Sequence, residues 1–156
     1  MRILLLCFLL SCQYSTANFD WTDYSSLLSQ HVINHEKNGV RSNLVNYQAF
    51  GQDPRFSSLL ERLALFDSTV LTGKEKLAFY INAYNLLAIK LVVDHNPKHS
   101  IRDIGTWFSP VWQKPAGILA GKAINLDTIE HKILRKMHEP RIHFSLVCAS
   151  MSCPNL

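Results

Sequence analysis

Leu77 to Val93 reads LAFYINAYNLLAIKLVV, a run that is apolar on almost every side when its residues are set at helical steps. A helix of that kind needs neighbours around most of its circumference, so the remainder of the chain has to wrap it. Thr72-Gly73-Lys74-Glu75 has the spacing of a capping box, which predicts a helix beginning at Gly73. Asp94-His95-Asn96-Pro97 ends it. Lys76 and Lys90 mark its one wet edge, and Asn82 and Asn85 lie well away from that edge, beside Ala78 and Ile89. A buried amide without partners costs about 1–3 kcal/mol, so each asparagine needs a specific hydrogen bond. Two readings stay open: the amides tie down loop backbone, or Asn82 orients a catalytic or ligand-binding side chain.

The other segments supply the wrapping. Trp21, Tyr24, Leu27, Leu28 and Val32 recur at spacings of three and four, predicting an amphipathic helix that stops before Asn38-Gly39. A short extended piece is expected near Leu44 to Tyr47. Asp53-Pro54 opens a second helix, Arg55 to about Phe66, with Phe56, Leu59, Leu60, Leu63 and Phe66 on one stripe. Ser100 to Pro115 is a loop rich in aromatics, with Trp107, Phe108 and Trp112 expected to cover the core rather than line a cleft. Ile118 to Ile124 reads as a tight hairpin turning at Ala120-Gly121, and Asn125 caps a helix from Leu126 to about Met137. Ile142, Phe144 and Leu146 alternate with His143, Ser145 and Val147, the period of a strand. These elements add up to an α+β fold: helix-rich, a central buried helix, and a small sheet formed by the hairpin and the Ile142 to Val147 strand.

At 156 residues, 47% hydrophobic and 18% charged, the chain is expected to form one globular domain over residues 18–156. Residues 1–17 have the pattern of a secretory signal peptide: Arg2, the apolar run Ile3 to Leu10, and Ser15-Thr16-Ala17 as a small-x-small cleavage site. Leu9-Leu10-Ser11-Cys12 offers a competing lipoprotein box, with a lipid anchor at Cys12. Either way the product is exported, periplasmic or extracellular. No later segment is expected to be apolar for long enough to span a membrane. The net charge of +4 is spread without a run or stripe of lysine and arginine, which argues against a nucleic-acid partner. A small molecule or peptide is the expected ligand, and no motif calls for a cofactor.

Chemically capable residues concentrate toward the C-terminus. Glu130 falls in the middle of the apolar stripe made by Leu126, Ile129, Ile133, Leu134 and Met137. An unpaired buried carboxylate is costly, so Glu130 needs a cationic or hydrogen-bonding partner. His131 flanks the stripe one turn from Asp127. Cys148 stands where the alternating pattern breaks into small and polar residues, and Cys153 precedes Pro154 as the N-cap of a helical start, where a thiolate is favoured. Cys148 or Cys153 as nucleophile, His143 or His131 as base, and Glu130 or Asn82 as orienting group supply every residue type that thiol-dependent acyl transfer or amide hydrolysis requires. On an unbroken strand His143 and Cys148, five apart, face opposite ways; they pair only if the strand ends or bulges, or else His131 is the partner. A zinc site built from the two cysteines and two histidines is a rival chemistry, weakened by the loose C-x4-C spacing. A third reading is a non-catalytic cell-envelope binding or scaffold module with a Cys148–Cys153 disulfide.

Taken together, Asn82-Ala83-Tyr84-Asn85-Leu86, the segment LDTIEHKILR from Leu126 to Arg135, and the stretch from His143-Phe144 to Cys153-Pro154 resemble the domain-of-unknown-function family 547, from about Leu59 onward. The resemblance implies an exported or lipoprotein-type domain, found also in plants behind a leucine-zipper segment, and it implies no particular activity. It further implies a chain cut short at its C-terminus, since relatives continue past the cysteine motif with more helix and strand.

Overall fold

The computed structural model describes residues 18–37, 39–147 and 149. Helix α1 (Thr22–His31) leads directly into strand β1 (Val32–Lys37), which pairs antiparallel with β2 (Val40–Val45). The predicted first helix therefore ends earlier than its spacing suggested. Val32 and Ile33 are β-branched, and Lys37 lies opposite Val40 where the two strands of the hairpin meet. The dipeptide Asn38-Gly39 serves as a helix stop or a hairpin turn, and here the strand partner downstream decides. Helix α2 (Tyr47–Gln52), which the sequence reading missed, is capped by Asn46, whose side chain accepts from the Ala49 amide at 3.1 Å.

Helix α3 (Pro54–Leu65) starts where Asp53-Pro54 predicts. The Asp53 carboxylate accepts from the Arg55 amide at 3.0 Å and from the Arg55 guanidinium at 2.6 and 2.9 Å, and it lies 3.2 Å from Nε2 of the buried His31. One side chain thus caps α3 and ties it to the end of α1. The bonds from Arg55, and then the contact with His31, hold its carboxyl well below the usual carboxylate range.

Helix α4 (Gly73–His95) is the axis of the fold, with Phe79, Tyr80, Ala83 to Ile89, Leu91 and Val92 buried. It begins at Gly73 as predicted, yet Thr72 makes no side-chain cap; its carbonyl accepts from the amides of Glu75 and Lys76 instead. Asn96, in the left-handed region at φ 43°, closes the far end. Its length and mean hydropathy of 1.3 reach what a membrane span requires, contrary to the expectation for this part of the chain, although 61% of that window is buried inside the fold. Phe19 packs edge-on against Phe66 and Phe79, with ring centroids 5.3 and 5.7 Å apart. The N-terminal residues are thereby fastened to the central helix.

Strands β3 (Gly117–Leu119) and β4 (Lys122–Ile124) form the expected hairpin, and the Gly121 amide donates to the Ala64 carbonyl of α3 at 2.8 Å. Both turn residues take positive φ, Ala120 at 49° and Gly121 at 72°. Next, Asn125 caps the following helix by accepting from the Thr128 amide at 2.8 Å. From there the chain departs from an ordinary α-helix: Thr128–Leu134 is π-helical and Arg135–Met137 closes as a 3-10 turn.

The predicted strand from Ile142 to Val147 does not form. Pro140–Phe144 is a 3-10 helix whose first turn is capped by the Glu139 carboxylate, which accepts from the Arg141 amide at 3.0 Å. Ile142 and Leu146, four apart, are buried while Phe144 between them points to solvent. Three alternations were too few to separate the two periods, and the Glu139-Pro140 start signal settled it. Accordingly there is no shared sheet; β1–β2 and β3–β4 are separate two-stranded ribbons, and the fold class remains α+β around a central helix. Trp107 and Phe108 do not cover the core either, leaving that role in their loop to Ile101, Val111 and the half-buried Trp112.

Alanine at a left-handed turn position carries a steric cost that glycine avoids. Ala120→Gly is expected to raise stability by about 0.5–1 kcal/mol, read as a higher denaturant midpoint at unchanged slope.

Candidate functional site

The site grows from one buried amide on α4. Asn85 donates from Nδ2 to the Ser145 carbonyl at 2.9 Å, and its Oδ1 accepts from the Val147 amide, also at 2.9 Å. A single side chain therefore completes the backbone hydrogen bonding of a segment some sixty residues downstream, in the manner of a missing strand partner. Of the two readings left open for the amides, tying down loop backbone holds for Asn85. The loop it holds is the one that leads into position 148. Beyond that position, Ala149 adopts φ 52° and packs against the core. A non-glycine residue in the left-handed region is costly and persists where its surroundings over-determine it.

Glu130 lies on the π-helical segment that packs against α4. Its carboxylate, 20% exposed, accepts from the Arg135 guanidinium at 2.9 Å. Five residues separate them, a spacing that puts side chains on different faces of an α-helix. In the π-helical stretch the Arg135 amide instead donates to the Glu130 carbonyl, so the two residues stack. The partner that the sequence demanded for Glu130 is thus present, but at the rim of the interior rather than within it. Tyr84, buried on α4, has its phenol held protonated beyond the ordinary range by burial first and by the charge of Glu130 second.

Arg135 also faces an open hollow of about 300 Å³ that it shares with His138, Glu139, Pro140, Ile142 and His143. His143 is exposed on the 3-10 helix with no ion pair among the described residues. An exposed imidazole beside an arginine on an open hollow can exchange a proton with, and offer a countercharge to, a small anionic or acyl group. Glu139 on the opposite lip is bound by the Arg141 guanidinium at 2.5 and 2.7 Å, which holds its carboxyl down to about 2.

The remaining candidates are dispersed. His131 is half-exposed on the outer flank, its Nδ1 3.7 Å from Asp127 Oδ1. Asn82 is half-buried and makes no side-chain hydrogen bond among the described residues. Cys148 and Cys153 lie outside the described residues, and with them the N-cap predicted at Cys153. Among the described residues no group of three or more histidine, cysteine, aspartate or glutamate side chains could hold a metal ion. Sequence reasoning missed Arg135 and His138 as parts of the site. A search at helical spacing pairs Glu130 with positions 126, 127, 133 and 134, and so passes over the arginine five residues on.

Loss of the Asn85 amide leaves one carbonyl and one N–H of the loop unpaired. Asn85→Ala is expected to cost about 2–4 kcal/mol, and Asn85→Asp, which sets a buried carboxylate oxygen against the Ser145 carbonyl, at least as much at neutral pH, measured by chemical denaturation. A separate pH effect follows from Glu139. Its folded pKa lies below the ordinary 4.5, so its contribution is intact above that value and is lost as pH falls toward 2. Thermal midpoints between pH 5 and pH 2 should fall more steeply for the native chain than for Glu139→Gln.

The family model described as "Protein of unknown function, DUF547" matches residues 68–156, more than half of the chain and all of the site, beginning at Ser68 rather than near Leu59. No curated protein and no solved structure matches the chain.

Proposed function

We propose, from the premise that the chain belongs to the DUF547 family of unknown function, that it is an exported thiol-dependent enzyme of acyl transfer or amide hydrolysis with Cys148 as its nucleophile. The observation that carries this reading is the treatment of the backbone on either side of position 148: the Val147 amide is held by the buried Asn85, and Ala149 is kept at a positive φ against the core. Strain fixed by surrounding structure is a recurrent property of sites that must present a reactive group.

In this scheme the Cys148 thiolate attacks the carbonyl carbon of a small peptide or amide. A sulfur–carbon bond forms, the carbon–nitrogen bond breaks, and the amine leaves with a proton delivered by an imidazole. His143 is the imidazole nearest in sequence and already faces the hollow. Arg135, steadied by Glu130, provides the positive charge for the substrate's carboxylate or the developing oxyanion. Water or an acceptor amine then releases the acyl group. Asn85 is a positioning residue, and Asn82, His131 and Cys153 are the reserve members of the set.

A second reading is the non-catalytic envelope module with a Cys148–Cys153 disulfide. It is favoured by one specific fact, that the charge of Glu130 is already taken up by Arg135, leaving His143 with no carboxylate partner among the described residues. Alkylation followed by peptide mass mapping separates the two, since the enzyme needs Cys148 free and the module has it bridged.

On peptide and glutathione-type substrates, Cys148→Ser is expected to lower turnover by at least about 10³-fold and His143→Gln by about 10²–10⁴-fold. Unchanged turnover in both Cys148→Ser and Cys153→Ser contradicts the thiol reading.

A further inference from the structure

Trp107 and Phe108 are 92% and 94% exposed, the two barest large apolar side chains among the described residues. They occupy the centre of a four-residue turn closed in both directions: the Thr106 amide donates to the Ser109 carbonyl at 2.9 Å, and the Ser109 amide donates to the Thr106 carbonyl at 3.2 Å and to the Thr106 hydroxyl at 3.1 Å. Residues at the centre of a tight turn are ordinarily small or polar, and two adjacent large aromatics held out in water forgo a large amount of burial.

The base of this loop is built, not slack. Ile101 and Val111 are buried on either side of the turn. Gly105 lets the two legs close on each other, since a Cβ there would lie 2.6 Å from the Val111 nitrogen and 3.1 Å from the Pro110 carbonyl carbon. On the descending leg the Gln113 carbonyl accepts from Asn125 Nδ2 at 3.2 Å, tying the loop to the cap of the π-helical segment. The aromatic tip therefore stands on a fixed stem.

Cations outnumber acids on the same loop. Lys98, Arg102 and Lys114 form no ion pair among the described residues, and the one acid in the stretch, Asp103, has its carboxylate engaged by the backbone amides of His99 and Ser100 at 3.2 and 3.1 Å. Arg102 and Trp107 share a hollow of about 380 Å³ with Thr106, Pro110 and Trp112, open beside the tip. We infer that the Trp107–Phe108 turn docks the protein on a lipid bilayer, the two rings entering the headgroup–acyl boundary and the surrounding cations meeting anionic headgroups. Tryptophan favours that boundary, and cationic side chains close to an anionic leaflet are attracted to it.

Size favours a bilayer over a protein surface. Two aromatic side chains offer roughly 300–500 Å², whereas a stable protein interface takes about 800 Å² from each partner. A small convex apolar tip ringed by positive charge fits a fluid anionic surface, which closes around it without a matching groove. This inference is independent of the thiol chemistry.

The test uses the full chain with vesicles of phosphatidylcholine alone and of phosphatidylcholine mixed with phosphatidylglycerol. Expected are tighter partitioning to the anionic vesicles, weakened by salt, and a loss of at least tenfold in Trp107→Ala/Phe108→Ala with an unchanged thermal midpoint. Arg102→Glu should lose affinity several-fold on anionic vesicles and little on neutral ones. Lipids brominated near the headgroup should quench tryptophan emission in the native chain but much less in Trp107→Phe, which separates insertion of the tip from binding through the N-terminal apolar run. Equal partitioning of the double alanine variant, or quenching that survives in Trp107→Phe, overturns the inference. So does concentration-dependent self-association that shields Trp107 in the absence of lipid.

Discussion

The rest of the structure depends on the burial of α4 together with the two hydrogen bonds that Asn85 makes from within it. A helix apolar on nearly all sides is stable in water only if other segments cover it, and α2, strand β3, the rings of Phe19 and Phe66 and the π-helical segment pack against it. The Ser145 and Leu146 amides donate back to the Ile142 carbonyl, but the Ser145 carbonyl and the Val147 amide have no partner in a strand or helix among the described residues. Asn85 supplies that satisfaction directly, so the segment entering position 148 is fixed to the most deeply buried element of the protein. A site held in this way inherits the rigidity of the core instead of the mobility of a loop.

The π-helical turn adds the second constraint. Widening the helix at Thr128–Leu134 brings Arg135 over Glu130 and turns an awkward carboxylate into half of an ion pair at the rim of a hollow. The same widening keeps Ile129 and Leu134 both fully buried although they are five apart. Insertions of this kind are rare and concentrate at functional positions, because they trade regular hydrogen bonding for the placement of particular side chains.

Much of the fold was legible wherever one signal outweighed the others. The α4 run, the Asp53-Pro54 start of α3, the Ala120-Gly121 turn and the Asn125 cap each combine a pattern with a matching boundary residue, and each is found. Errors fell where one local signal fits two structures. Asn38-Gly39 ends helices and makes hairpins, and only the pairing of Val32–Lys37 with Val40–Val45 decides between them. Ile142, Phe144 and Leu146 satisfy a strand's alternation, yet Ile142 and Leu146 also satisfy a helical spacing, and the Glu139 cap selects it. In the site, the need of Glu130 for a partner and the need of a core amide for hydrogen bonds were both readable from cost alone. Which residues met those needs was not, because the π-helical register and a contact across sixty residues are properties of the folded chain. The aromatic loop misled for a related reason: tryptophan and phenylalanine signal burial, and sequence does not say whether the burying surface belongs to the same molecule.

The central claim is that the backbone ahead of position 148 is anchored to the core by Asn85. Native-state hydrogen exchange at the Val147 amide tests it most directly. Protection approaching that of the α4 core amides, and lost in Asn85→Ala while those amides stay protected, is the predicted result. Exchange of Val147 at the rate of an unstructured peptide in the native protein contradicts it.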